Sequence, residues 1–108
     1  MTTINEKVLA SYFSDKIGYR DNNLYDGNYW YAELSKDPFH KPLDFSALGK
    51  LPYKYKLDVT YKGKTIRAMK GDVGAGGSHY PKIDLHYKLA KDLNFINAGL
   101  DYVHIKSA

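Results

Sequence analysis

The chain has 108 residues, 44% of them apolar, which supports one hydrophobic core and hardly two, so it reads as a single domain spanning 1–108. Sixteen Lys and Arg against twelve Asp and Glu give a net charge of +4; this suits an anionic partner, but the basic residues are scattered and solubility explains the excess equally well. No stretch approaches the roughly eighteen apolar residues of a membrane span, and the absence of cysteine excludes disulfides and thiolate metal sites.

The start, "MTTINEKVLA", lacks the charged-then-apolar pattern of a secretory leader, as expected of a chain not exported by that route or of one whose leader has been removed. "KVLASYFS" (7–14) mixes β-branched, aromatic and small residues and predicts a first strand. Residues 15–29, rich in Asp, Asn and Gly, predict a long loop, and "WYAELS" (30–35) a second strand. "KDPFHKPLD" carries two prolines and is irregular, and "FSALGKLP" holds at most one helical turn. "YKYKLDVTY" alternates Tyr53, Tyr55, Leu57, Val59 and Tyr61 against Lys54, Lys56, Asp58 and Thr60, which predicts a strand returning through "KGK" into "TIRAM" as a hairpin over 53–69. "KIDL" is a short strand. Tyr87, Leu89, Ala90 and Leu93 in "HYKLAKDLNF" recur at helical spacing, and "LDYVHIK" is a closing strand.

The chemistry concentrates in "KGDVGAGGSHYPKIDLHYKLAKDL" (70–93), with Asp72 in a glycine-rich loop and Asp84 between Ile83 and Leu85. A phosphate-binding loop is disfavoured, because the segment runs strand–loop–strand and lacks the Lys-Ser/Thr that would open a helix. Asp84 reads either as an acceptor for backbone amides of the glycine loop or as a groove carboxyl whose pKa is raised by burial and by Asp72. Lys70 and Lys82 flank the acids, where they could favour an anionic glycan or depress the carboxyl pKa values. Tyr29 and Tyr31 share one strand face and Trp30 takes the other, so Trp30 is either core or a sugar-stacking platform. Tyr80 is a candidate groove wall, and His79 a substrate contact or a solvated loop residue. His40, His79, His86 and His104 show no metal spacing.

Taken in order, "GDVGAGG", "KIDLHYKLAKDLNF" and "GLDYVHI" resemble the C-terminal half of the double-psi β-barrels of expansins and rare-lipoprotein-A-like proteins. "LASYF" (9–13) resembles their opening Ala-Ser/Thr-aromatic strand, and "LGKLPYKYKLDVTYKGKTI" their Leu-Pro-containing hairpin. The resemblance implies a mostly-β fold, a small six-stranded double-psi β-barrel with one or two short helices. By position, Asp84 matches the family's second, catalytically important Asp, Asp72 the first, and Ser11 the Thr/Ser of the opening strand. Tyr12, Trp30, His79 and Tyr80 are then the substrate-binding candidates. Where transglycosylases of the family carry a His four residues before the hairpin proline, this chain has Leu48; His40 could approach from the neighbouring loop, but nothing in the sequence shows that it does. His86 stands where relatives carry a helix-capping Ser.

The implied chemistry is cleavage of peptidoglycan or a related polysaccharide, with Asp84 as acid and then base. A proton taken from the substrate's 6-hydroxyl gives an anhydro-sugar. One taken from a water activated by Asp72 gives inverting hydrolysis at a carboxyl separation of roughly 6.5–9.5 Å. The alternatives are an expansin-like module that binds and loosens glycan without cleavage, or a structural barrel, for example in a phage virion. No metal, cofactor, nucleic acid or membrane span is implied. A monomer is expected, either extracellular or in the cell envelope, or phage-encoded and virion- or wall-associated.

Overall fold

The computed structural model describes residues 3–108; Met1 and Thr2, the first residues of the start read for a leader, lie outside the described residues. Six strands close into a barrel: β1 Asn5–Phe13, β2 Trp30–Leu34, β3 Lys56–Tyr61, β4 Lys64–Gly74, β5 Ile83–His86 and β6 Asp101–Ser107, in the order β1-β5-β2-β4-β3-β6. β1 runs parallel to β5 and β2 parallel to β4, and every other pairing is antiparallel. Closure leaves no strand with an unpaired edge. The helices among the described residues are a 3₁₀ turn at Tyr19–Asp21 and one α-helix, α1, Tyr87–Asp92. The expected mostly-β, six-stranded barrel with short helices is therefore the observed architecture.

The β3–β4 hairpin follows from its alternation. Leu57, Val59 and Tyr61 are buried, and Lys62 (φ 46°) with Gly63 (φ 85°) supplies the two left-handed residues of a type I′ turn. β3 begins three residues later than the tyrosine pattern suggests. Lys54 is left-handed (φ 66°) and the Tyr55 amide donates to the Pro52 carbonyl at 3.0 Å, so Tyr53 and Tyr55 sit on a turn. β4 runs longer than expected, through Asp72 to Gly74, because β2 lies beside it and satisfies its backbone. Asp72 is thus in a strand, not in a flexible loop. α1 stops where Asn94 (φ 60°) turns left-handed: the Phe95 amide reaches the Ala90 carbonyl at 2.8 Å and the Asn94 amide reaches that of Lys91 at 3.0 Å. That is a Schellman end with Asn in place of Gly, and it cuts the helix short of the 86–95 span.

Val8, Ala10, Tyr31, Leu57, Val59, Ile83, Leu85, Val103 and Ile105 form the barrel interior, with Leu89, Leu93 and Phe95 packed onto it. One charged pair is buried with them. Glu33, fully buried, accepts the amides of Leu48, Lys50 and Leu51, each at 2.8 Å, and the Lys70 ammonium at 2.9 Å. Lys70 also donates to the Leu51 carbonyl at 2.6 Å. Lys70 is therefore committed to Glu33, not to the two aspartates, contrary to the expectation that it flanks them as a free cation. Leu48, which the sequence resemblance sets where transglycosylases carry a His, has its side chain in the core cluster and its backbone tied to Glu33.

Candidate functional site

Along β1 and β5, Ala10, Ile83 and Leu85 point into the core, so Ser11 and Asp84 face the outer side of the wall. On β2, Tyr31 is in the core and Ala32 faces out. The register then sets Ser11 opposite Asp84, Asp84 opposite Ala32, and Ala32 opposite Asp72. These residues form one row across four adjacent strands. Asp72 joins it only because of a bulge: Tyr31 pairs with Lys70 and Ala32 with Asp72, which leaves Gly71 as an extra residue that reverses the alternation. A side chain at Gly71 would sit 2.6 Å from the Trp30 ring, so only glycine fits. Two strand spacings put the aspartate backbones about 10 Å apart, with only the methyl of Ala32 between them.

The segment 14–29 folds over this row. It is tied by the Gly18 amide to the Asn22 carbonyl (2.8 Å), the Leu24 amide to Lys16 (3.0 Å), the Tyr25 hydroxyl to Ser14 (3.0 Å) and the Trp30 indole to Asp26 (2.9 Å). Leu24 is buried beneath it against Gly18 and Gly71. Gly18 is the closest approach: a Cβ there would collide with the Gly71 carbonyl oxygen and lie 3.2 Å from Asp72 Cβ. Gly18→Ala should therefore lift the segment off the wall. We expect a stability loss of about 1–3 kcal/mol in urea denaturation and a fall in the Asp84 pKa by NMR titration as water reaches it. An unchanged pKa would show that the segment does not shield the acid.

Shielding dominates the electrostatics. Burial pushes the Asp84 carboxyl up to about 6; the Ser11 hydroxyl, donating to it at 3.1 Å, opposes the shift, and the charges of Asp15 and Asp72 add to it. Asp72 is also raised, by burial first, against the backbone amides of Val73 and Tyr19 and the charge of His86, with Asp15 adding to the rise. The Val73 amide donates to Asp72 Oδ1 at 2.8 Å. The Asp84 carboxyl thus accepts from the Ser11 hydroxyl and not from the amides of the glycine loop. Asp15 is the acid that sequence reasoning passed over. It follows β1 in an exposed polar stretch, and nothing short of the folded-back segment marks it.

The remaining candidates are placed differently. Trp30 is 2% exposed with its indole N–H on Asp26, so it offers no face for stacking and the platform expectation is corrected to a core role. Tyr12 sits on the alternate position of β1 from Ser11, with its ring beside Gly99. Tyr80 and His79 are exposed and left-handed (φ 55° and 72°); Tyr80 meets the exposed Phe39 edge to face at 5.8 Å, and neither residue hydrogen-bonds an acid. His40 is exposed and likewise bonds neither. His86 does occupy the position before α1 but caps nothing. Its Nε2 bonds the Asp15 carbonyl at 2.9 Å, Phe13 and Tyr25 pack edge to face on its ring, and its buried Nδ1 has no partner among the described residues. Its position anchors the covering segment.

Cavities of about 470, 400 and 380 Å³ are lined by other residues, the largest by Lys16, Ile17, Asn23 and Tyr25 of the covering segment. Among the described residues no group of three or more His, Cys, Asp or Glu is arranged to hold a metal ion, and no helix is long and apolar enough to cross a membrane. Fold and site together define a class: a small closed barrel of mixed strands carrying a shielded carboxyl pair on its outer wall. No protein-family model and no curated protein matches the sequence. Among solved structures, the barrel is similar to the Streptomyces papain inhibitor, with a TM-score of 0.64 and 19% identity over 95% of this chain and 93% of that one. The likeness is one of fold.

Proposed function

We propose that this is a double-psi-type barrel of the expansin and rare-lipoprotein-A-like kind that cleaves cell-wall glycan strands, with Asp84 as general acid. The observation that carries the reading is the single row Ser11–Asp84–Ala32–Asp72 under a covering segment. The two parallel pairs, β1 with β5 and β2 with β4, support the finer fold reading. A carboxyl with a pKa of about 6 keeps its proton to a higher pH than an ordinary aspartate, up to about pH 6, and can release it to a leaving group. In the step proposed, Asp84 gives its proton to the glycosidic oxygen as the bond from that oxygen to the sugar's C1 breaks. The substrate's 6-hydroxyl oxygen bonds to C1, and its proton returns to the Asp84 carboxylate.

The test is mass spectrometry of purified sacculi incubated with the wild type and with Asp84→Asn. Anhydro-muropeptides from the wild type alone, with a yield that falls as pH rises through about 6, are expected. Binding without soluble product from either protein would overturn the enzymatic reading.

A second reading, a non-catalytic barrel that binds glycan without cleaving it or serves a structural role, is favoured by Leu48. The family's His position is filled by a side chain locked in the core. The similar structure is a papain inhibitor, so a papain inhibition assay belongs beside the sacculus assay. Inhibition with no glycan product would favour this second reading.

A further inference from the structure

We propose that the surface cluster of Tyr19, Arg20, Tyr53 and Lys54 is a subsite for a sugar carboxylate, so that the glycan lying along the acid row is an anionic one; what happens to that glycan once bound rests on the reading of Asp84 given above. The Arg20 guanidinium sits 5.2 Å from the centre of the Tyr19 ring and 5.0 Å from that of Tyr53, and the two rings meet edge to face at 5.9 Å. Two aromatic neighbours fix a planar cation while leaving its fork of N–H donors available, which is the geometry for bidentate capture of a carboxylate. Tyr53 is itself fixed, its hydroxyl donating to Asn22 Oδ1 at 2.7 Å. The Lys54 ammonium stands 5.6 Å from the same ring and adds a second positive charge.

Neither cation is spoken for. The ion pairs among the described residues are Arg67–Asp58 and Lys70–Glu33, and Asp21, next to Arg20 in sequence, does not pair with it. The backbone is held in an unfavourable conformation to present these groups: Arg20 (φ 60°, ψ 33°), Asp21 (φ 56°) and Lys54 (φ 66°) are all left-handed without being glycine. Such residues persist where the surroundings over-determine them. Here the surroundings are the acid site, because Gly18 lies against Asp72 and the Tyr19 amide bonds its carboxyl. The subsite thus begins one residue from the acids.

The same neighbourhood selects the partner. Asp15, Asp72 and Asp84 repel a backbone charged at every unit, such as a nucleic acid. They tolerate a chain in which a neutral sugar lies over the acids and a charged one reaches Arg20. Tyrosine faces beside the cation suit the apolar side of a pyranose ring.

The probe is a hyaluronan hexasaccharide, with a carboxylate on alternate sugars, alongside the same oligosaccharide with its carboxyls reduced to alcohols. Calorimetry at low salt would compare the wild type, Asp84→Asn, and the double variant Arg20→Gln with Lys54→Gln. Both substituted side chains are exposed, and an unchanged melting temperature confirms the fold. The wild type and Asp84→Asn are expected to bind the acidic oligosaccharide. The double variant should lose roughly tenfold or more in affinity, the scale of one charge-assisted contact, and the reduced oligosaccharide should not distinguish the proteins. Wild-type affinity in the double variant, equal affinity of the wild type for the two oligosaccharides, or no binding at all would overturn the proposal. Arg20-dependent binding with no Asp84-dependent product from sacculi would leave the subsite standing and remove the acid. Product formation with binding indifferent to Arg20 would do the reverse.

Discussion

Asp84→Asn is expected to raise the melting temperature at pH 8 and to leave it nearly unchanged at pH 4. The Asp84 carboxyl has a folded pKa of about 6, against about 3.9 in an unfolded chain. Between those values the folded protein holds a proton that the unfolded chain has released, so stability falls as pH rises through the window and the full penalty is present above it. Two pKa units correspond to about 3 kcal/mol, an upper bound that partial exposure reduces to about 2 kcal/mol. The asparagine keeps the shape and carries no charge. A gain of roughly 5–10 °C is therefore expected for a domain of this size, read by circular dichroism melts across pH 4–8. The gain should accompany loss of any Asp84-dependent product, since a shielded acid is stored instability. An equal effect at both pH values would show that the carboxyl is not raised. Asp72 is raised for the same primary reason, burial, and its amide should act in the same direction.

The second large effect lies inside the barrel and has the opposite sign. Glu33→Ala should destabilise the protein by about 3–5 kcal/mol, enough to unfold a chain whose whole margin is on the order of 5–15 kcal/mol. The substitution leaves the Lys70 ammonium buried without its carboxylate and the amides of Leu48, Lys50 and Leu51 without an acceptor. The Arg67–Asp58 pair has the same 2.9 Å separation but an Arg side chain that is 60% exposed. Arg67→Ala should therefore change stability by less than about 1 kcal/mol. Urea denaturation of the two variants separates the cases: similar losses would mean that burial does not set the worth of these pairs.

Much of the barrel was legible because it depends on local pattern. The alternation through Leu57, Val59 and Tyr61, the turn at Lys62 and Gly63, the short strand around Asp84 and the apolar spacing of α1 are each fixed by neighbours in sequence. Errors fell where a partner from elsewhere decides the outcome. Tyr53 and Tyr55 continue the alternation but belong to a turn, and Gly71 to Gly74 look like a loop but become strand because β2 lies beside them. Asn94 ends the helix by adopting a left-handed conformation that the apolar spacing does not encode.

The candidate site divides along the same line. The sequence by itself determined the parts: Asp72, Asp84 and Ser11, their order, and their membership of a mostly-β chain. Only the tertiary structure decided how they meet, through the parallel pairing of β1 with β5 and the Gly71 bulge that turns Asp72 onto the row of Asp84. It also decided against Trp30 as a surface ring, committed Lys70 to Glu33, and brought Asp15 and Gly18 to the acids by folding residues 14–29 back across the wall. The physical reason is that side-chain direction in a strand follows from local alternation, whereas burial and charge environment depend on which distant backbone lies on top.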